Sequence, residues 1–357
     1  MKSNVRVLVI DANELGRKSL CAILRRESGI EVAGDTAVGR DAVHLVRVCR
    51  PDVILMNLDA DFREVLEAIE NIMCTKATPI LLVGRIQDSQ KVYEAIRRGA
   101  IEMVEKPDAS PASVRKFLDR VRLTASLPVI THIRPSGGYG LDKTLEKKTG
   151  MDSIDPPSLQ VSDLANILSS RVFAIASSTG GPQALALILA QLPADFPCPV
   201  LIAQHISDGF ADGMATWLSE ICSLPVRLAT DGEEAAPGVI YIASPERHCI
   251  LTAGRRIVLP ERYEVDLYRP SCDRLLSSVA DVCLSDSVGI ILTGMGQDGA
   301  AGIARIYQRG GMTIGQDRES SLIYGMNRCA IEAGTIRKVM PVASIASEMI
   351  RLAGGGW

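Results

Sequence analysis

The stretch 51-PDVILMNLDAD-61 decides how the first third of the chain folds. Val53, Ile54, Leu55 and Met56 are apolar in unbroken succession. The run is too short for a helix and has no polar alternation, so it reads as a strand covered on both faces. Such strands belong to parallel sheets flanked by helices, where chemistry collects at the carboxyl ends of the strands. Asn57, a neutral amide, stands at that end.

The same rhythm continues on both sides. VRVLVID (5–11), IEVAGDTA (30–37), PILLVG (79–84) and IEMVEKP (101–107) are further strand patterns. Between and after them lie helical patterns at 15–27, 39–49, 63–73, 88–99 and 111–124. This alternation predicts a doubly wound parallel sheet over residues 1–125. Residues 126–165 break it: RPSGGYGLDKTLEKKTG and DSIDPP are rich in Gly, Pro and charge and read as a linker, with a short helix expected at 161–170. From residue 166 a second α/β domain is expected to run to the end, 357. Its strand patterns are VFAIAS, PVLIAQH, VRLAT, GVIYIAS, VGIILTG and MTIGQD, and a hairpin turns at Ala253-Gly254.

Composition narrows the chemistry. The formal net charge of −3 gives no electrostatic case for nucleic acid as the main partner. The start, MKSNVRVLVIDAN, lacks the apolar core of a signal peptide, and no apolar run approaches the ~20 residues of a membrane span. The nine cysteines include no C-x-x-C pair, which fits reduced thiols in a cytoplasmic protein better than disulfides or a zinc site. No metal and no cofactor are expected. Only His44, His132, His205 and His248 can supply an imidazole.

In the second domain, AIASSTGGPQALA (174–186) is a strand, a small-residue turn and a helix. The turn admits two functional readings: backbone N–H groups cradling a phosphate, or an exposed serine nucleophile with those N–H groups as oxyanion hole. A purely structural turn is the third. Ser177 and Ser178 are adjacent, and strand alternation points them to opposite sides; Ser178, next to Thr-Gly-Gly, is the better candidate. The next strand ends at His205, a general-base candidate at the same sheet edge. A third strand ends in MGQDGAAG (295–302), which carries Asp298. Serine, histidine and aspartate at three strand ends suit nucleophilic acyl transfer.

SSTGG, AQH, YIASPERH, YRPSCD, ILTGMGQDGAAG and YGMNR, in this order, resemble the successive blocks of the CheB family, chemotaxis protein-glutamate methylesterases with a receiver domain ahead of the catalytic one. The resemblance covers nearly the whole chain. It implies Ser178 as nucleophile, His205 as general base, Asp298 as orienting acid, and the backbone N–H groups of Thr179 and Met295 as oxyanion donors. It implies hydrolysis of glutamyl γ-methyl esters on chemoreceptor cytoplasmic domains, with deamidation of glutamines in many members. In YRPSCD, Arg269 and Asp273 read as a salt bridge or helix cap at least as readily as site residues, and His248 reads as structural.

The same resemblance explains Asn57. CheB-like receivers carry an aspartate there as phosphoacceptor, a pair of acids after the first strand for Mg²⁺, a hydroxyl after the fourth strand, and an aromatic and a lysine on the fifth. This chain keeps Asp11 and Lys106 but has Ala12, Asn57, Gly84 and Met103 at the other positions. Asp59 and Asp61 lie past the strand, where they are expected to be solvated and badly placed. One carboxylate is a poor set for a hard cation. The expectation is a pseudo-receiver, a docking or dimerising module with Lys106 paired to Asp11, and a catalytic domain that is either constitutively active or controlled by a partner on the receiver surface rather than by phosphate. The competing readings are a non-enzymatic adaptor and a nucleotide-binding enzyme.

Overall fold

The computed structural model describes residues 4–37, 40–59, 61–84, 89–108, 110–127, 171–263 and 265–354. The expected linker beyond residue 127 and the helix expected at 161–170 lie outside the described residues. No helix among those described is long and apolar enough to cross a membrane.

The first sheet is parallel and five-stranded, in the order β2-β1-β3-β4-β5. Its strands are β1 (Val5–Ile10), β2 (Ile30–Thr36), β3 (Val53–Asn57), β4 (Ile80–Gly84) and β5 (Glu102–Glu105). All five residues of β3 are buried, as the unbroken apolar run requires. The helices are α1 (Glu14–Arg25), α2 (Arg40–Cys49), α3 (Phe62–Lys76), α4 (Ser89–Arg97) and α5 (Pro111–Ala125). Local chemistry starts three of them. The side chains of Asn13, Asp61 and Ser110 accept from backbone N–H groups of the first turns of α1, α3 and α5.

The second sheet has seven parallel strands, in the order β14-β13-β12-β6-β7-β9-β8. Six are the expected ones: β6 (Val172–Ser177), β7 (Val200–Gln204), β8 (Val226–Leu228), β9 (Ile240–Ile242), β12 (Ser287–Ile291) and β13 (Met312–Gln316). The seventh, β14 (Lys338–Met340), is an addition; three residues led by a lysine give too little apolar run to announce a strand. β10 (Ile250–Thr252) and β11 (Arg256–Val258) form the expected antiparallel hairpin. Around the sheet lie α6 (Gly181–Leu189), α7 (Ala211–Ile221), α8 (Cys272–Cys283), α9 (Ala300–Gln308), α10 (Met326–Glu332) and α11 (Val342–Ala353). β6 lies between β12 and β7, where the winding reverses, so its carboxyl end opens on the crevice such sheets use for ligands.

The two domains meet through α4 and α7. Tyr93 stacks on Trp217 with ring centroids 5.5 Å apart and planes 16° from parallel. Both rings are buried and join one apolar cluster that runs through both sheets. Close approach requires a glycine on α7, since a Cβ at Gly213 would fall 2.3 Å from Ser89 Oγ. Beside this contact, Gln183 Nε2 donates to the carbonyls of Ala100 (3.0 Å) and Ile101 (3.3 Å).

Trp217→Ala should destabilise the chain by about 3–5 kcal/mol, the usual cost of deleting a buried large aromatic. A double-mutant cycle with Tyr93→Ala, followed by urea unfolding, should return a coupling of about 0.5–1.5 kcal/mol. Additive losses would mean that the two rings do not stabilise one another.

Candidate active site

The register of β6 and β7 aligns Ser177 with Gln204, so the next residues on the two strands, Ser178 and His205, leave the sheet side by side. Alternation then separates the two serines. Ser177 is fully buried and its Oγ donates to Gln204 Oε1 at 2.6 Å. Ser178 turns the other way, and its Oγ makes no hydrogen bond among the described residues. Gln204 ties the two strand ends together, since its Nε2 donates to the carbonyls of both Ser178 and His205 at 2.8 Å. The turn after Ser178 admits only glycine. Gly180 has φ of +80°, and a Cβ at Gly181 would lie 1.9 Å from Gln204 Oε1.

On the other flank, Ser178 N–H donates to Thr293 O at 3.0 Å, which brings the loop after β12 against the serine. A Cβ on Gly294 would sit 2.7 Å from Ser178 Cβ. The backbone N–H groups of Thr179 and Met295 donate to no other described residue, so both are available at the serine turn.

The loop then brings Asp298 to His205. Asp298 Oδ2 lies 2.7 Å from His205 Nε2, with the carboxylate 2% exposed and the imidazole 15%. The acid sits at the amino end of α8, where Cys272 N–H donates to Oδ2 (2.7 Å), and Asp273 N–H (3.0 Å) and Ser271 Oγ (3.4 Å) donate to Oδ1. Burial opposes ionisation of Asp298, but the His205 bond and charge, with the Cys272 and Asp273 N–H groups, outweigh it and hold the carboxyl below its ordinary range. Since Oδ2 accepts from Nε2, the proton of neutral His205 sits on Nε2 and Nδ1 carries the lone pair. Tyr268 stacks on the imidazole, ring centroids 5.1 Å apart and planes 10° from parallel.

Several supporting residues had no signal of their own. Gln204 and Cys272 were not singled out, because the partners that give them their roles, Ser177 and Ser178 for Gln204 and Asp298 for Cys272, lie 26 or more residues away. Asp273, read as a salt bridge or a cap, is a cap of a different helix: its Oδ1 accepts from Gly299 N–H (2.9 Å) and Gly302 N–H (2.7 Å), fixing the loop that carries Asp298. Burial, opposed by those N–H donors, and the neighbouring Asp298 charge push its carboxyl above the ordinary range. Arg269 contributes a backbone carbonyl, to Ile206 N–H at 3.3 Å. His248 is buried, its Nε2 2.8 Å from Asp266 and its Nδ1 accepting from Ser271 N–H at 3.1 Å, so it steadies the entry to α8. The domain contact also reaches the serine turn: Arg120 Nη1 lies 3.3 Å from Thr179 Oγ1, which lies 3.3 Å from Glu102 Oε2.

At the strand ends of the first domain, Asn57 Nδ2 donates to Asp11 Oδ1 at 2.7 Å, and Lys106 Nζ lies 3.4 Å from Asp11 Oδ2, as expected. Asp11 is fully buried. The placement of Asp59 needs correction. It is half-exposed, yet its Oδ2 comes within 3.6 Å of Lys106 Nζ, because Asp59 N–H turns back to Asn57 Oδ1 at 3.1 Å. Asp61 caps α3. A lysine ammonium therefore lies against both carboxylates. Gly84 packs against Met103, its Cβ position 3.2 Å from Met103 Cε.

Comparison with known proteins follows this division. Residues 7–117 match the response regulator receiver domain model and residues 173–349 the CheB methylesterase model. A protein-glutamate methylesterase/protein-glutamine glutaminase of Paramagnetospirillum magneticum is 42% identical over 99% of this chain and 97% of its own length. One from Anaeromyxobacter dehalogenans is 36% identical over 96% of this chain and 95% of its own. The crystal structure of the CheB methylesterase catalytic domain of Thermotoga maritima is 36% identical and superposes with a TM-score of 0.50, covering 51% of this chain and 98% of that one.

The depressed Asp298 carboxyl stabilises the folded chain above its unfolded value of about 3.9, and that contribution disappears as pH falls through the folded value. Unfolding free energies from urea titrations between about pH 6 and pH 2 should therefore fall less steeply for Asp298→Asn than for the native chain. Parallel curves would remove Asp298 from the acid response.

Proposed function

We propose that this chain, which belongs to the CheB methylesterase family, hydrolyses glutamyl γ-methyl esters on the cytoplasmic domains of chemoreceptor-like proteins. The observation that carries this reading is the His205–Asp298 contact of 2.7 Å beside the turn that presents Ser178. A non-enzymatic adaptor would have no use for an ionised, buried acid held against an imidazole at that point.

In this reading Ser178 Oγ attacks the ester carbonyl carbon while His205 Nδ1 accepts its proton. Asp298 holds the ring in the required tautomer and stabilises the imidazolium. The tetrahedral oxyanion is bound by the N–H groups of Thr179 and Met295, near the amino end of α6. Collapse expels methoxide, which takes the proton from His205 and leaves as methanol. Water, deprotonated by the same imidazole, then frees the glutamate side chain. A glutamine amide reaches the same acyl-enzyme with ammonia as leaving group, so deamidation needs no further residue. The chemistry requires neither metal nor cofactor, and the working units are residues 1–125 and 166–357, joined by 126–165.

Regulation does not pass through phosphate at residue 57. An amide carbonyl is a poor nucleophile toward phosphorus, its N–H₂ is bound to Asp11, and the Lys106 ammonium occupies the acidic pair that a divalent ion would need. The receiver reaches the nucleophile turn through Arg120 and Thr179, so a signalling partner that draws the receiver away is the natural control.

Methanol release from a methylated receptor fragment should fall by roughly 10⁶ in turnover in Ser178→Ala and by about 10⁴ in Asp298→Asn. Activity equal to the native chain in Ser178→Ala would end the proposal. Incubation with a small phosphodonor and Mg²⁺ should leave no acyl phosphate on the chain and no change in turnover; a stable acyl phosphate would overturn the pseudo-receiver reading.

A further inference from the structure

Cys272 is a metal-ligating side chain at this site that the proposed chemistry does not use. It opens α8 and is fully buried, its Sγ 3.5 Å from His205 Nε2 and 3.4 Å from the Ala203 carbonyl. With Asp298 it completes a set of three different donors: an imidazole nitrogen, a thiol sulfur and a carboxylate oxygen, all within 4.8 Å of one another. We propose that His205, Cys272 and Asp298 bind one thiophilic divalent cation of the zinc type, and that this cation switches the hydrolase off.

The donor set is one that selects such a cation. Thiolate and imidazole favour zinc-like ions over magnesium or calcium, and three protein ligands with an open fourth position is a common zinc arrangement. Bonds of 2.0–2.3 Å at tetrahedral angles place the ligand atoms about 3.4–3.6 Å apart. The present separation of 3.5 Å between sulfur and nitrogen already has that value. The 2.7 Å separation of nitrogen and oxygen has to open, because a cation then stands where the Nε2 proton stood. Asp298 keeps its other partners through this change. Its Oδ2 still accepts from Cys272 N–H, and its Oδ1 still accepts from Asp273 N–H. The fourth ligand is water or the group presented by the serine turn.

The proton balance explains why binding would silence the site. In the metal-free ring Nε2 carries the proton and Nδ1 is the free base. The cation takes the Nε2 lone pair, so that proton moves to Nδ1 by way of solvent. The thiol bonds as thiolate, and its proton leaves to bulk water. One cation therefore enters and one proton is released. The imidazole that remains is protonated at Nδ1, the nitrogen that must accept the Ser178 proton. No oxidant or further reactant is involved. The silencing rests on the reading of His205 as general base; the binding itself does not.

The experiment uses the full chain carrying Ser178→Ala, so that the outcome is independent of esterase activity. Cd²⁺ titration should give a thiolate-to-metal absorption band saturating at one equivalent, and Zn²⁺ in competition with a chromophoric chelator should displace it. Cys272→Val on that background should weaken Zn²⁺ by about 100-fold or more, since loss of even an outer-shell partner costs 10–100-fold. His205→Gln should weaken it comparably, with far-ultraviolet circular dichroism confirming that each variant is folded. In the Ser178 chain, methanol release should fall to zero as Zn²⁺ saturates and recover with a chelator. Undiminished Zn²⁺ binding in both variants places the ion on the other cysteines and overturns the proposal. Binding lost in the variants without inhibition of the Ser178 chain retains the metal site and removes His205 as base.

Discussion

A single buried negative charge organises the second domain. Asp298 is 2% exposed and accepts from an imidazole, two backbone N–H groups at the start of α8 and a serine hydroxyl. A carboxylate removed from water is costly unless its lone pairs are filled, and an incomplete set of donors would turn it into a destabilising group. The donors come from two different parts of the chain and the acid from a third, so Asp298 can remain ionised only when β7, the start of α8 and the loop after β12 are assembled together. Asp273 extends the same logic by one residue. It caps α9 and so fixes the loop that carries its neighbour. Two carboxylates this close interact unfavourably, and the helix amino ends compensate.

Gln204 has the corresponding role for the nucleophile. One side chain accepts from Ser177 and donates to the carbonyls of Ser178 and His205. Ser177 therefore belongs to the scaffold, while Ser178, itself buried at 6% exposure, faces the other side of the strand. The adjacent hydroxyls are distinguished by the pleat of one strand, and the close packing of Gly181 against Gln204 leaves no room for another arrangement of the turn.

Much of this was legible in the residues. The long apolar runs of β1, β3, β4, β6, β7 and β12 are strands because both faces are covered, and the reactive side chains stand where those runs stop. The place of Asn57 could be anticipated from its strand end, and the Asp11–Lys106 pair from the resemblance to CheB-like receivers. Local reasoning missed what depends on long-range closure. β14 is only three residues, Asp273 caps a helix 26 or more residues on, and Cys272 meets His205 across 67 positions. Asp59 was misplaced because the turn-back through Asn57 is set by the amide itself. The packing of Tyr93 on Trp217 joins two domains, and neither aromatic carries a pattern that names the other.

The amide at residue 57 bears on time as well as chemistry. A phosphorylated aspartate decays by hydrolysis, so a receiver that carries one has a built-in lifetime after each stimulus. Asn57, donating its N–H₂ to Asp11, has no such decay. If the module takes no phosphate, as proposed, any memory is stored elsewhere, in the residence time of whatever binds it or in the rate at which the chain is made and removed. On the proposed reading, a kinase competing for phosphate among several receivers would lose nothing to this one.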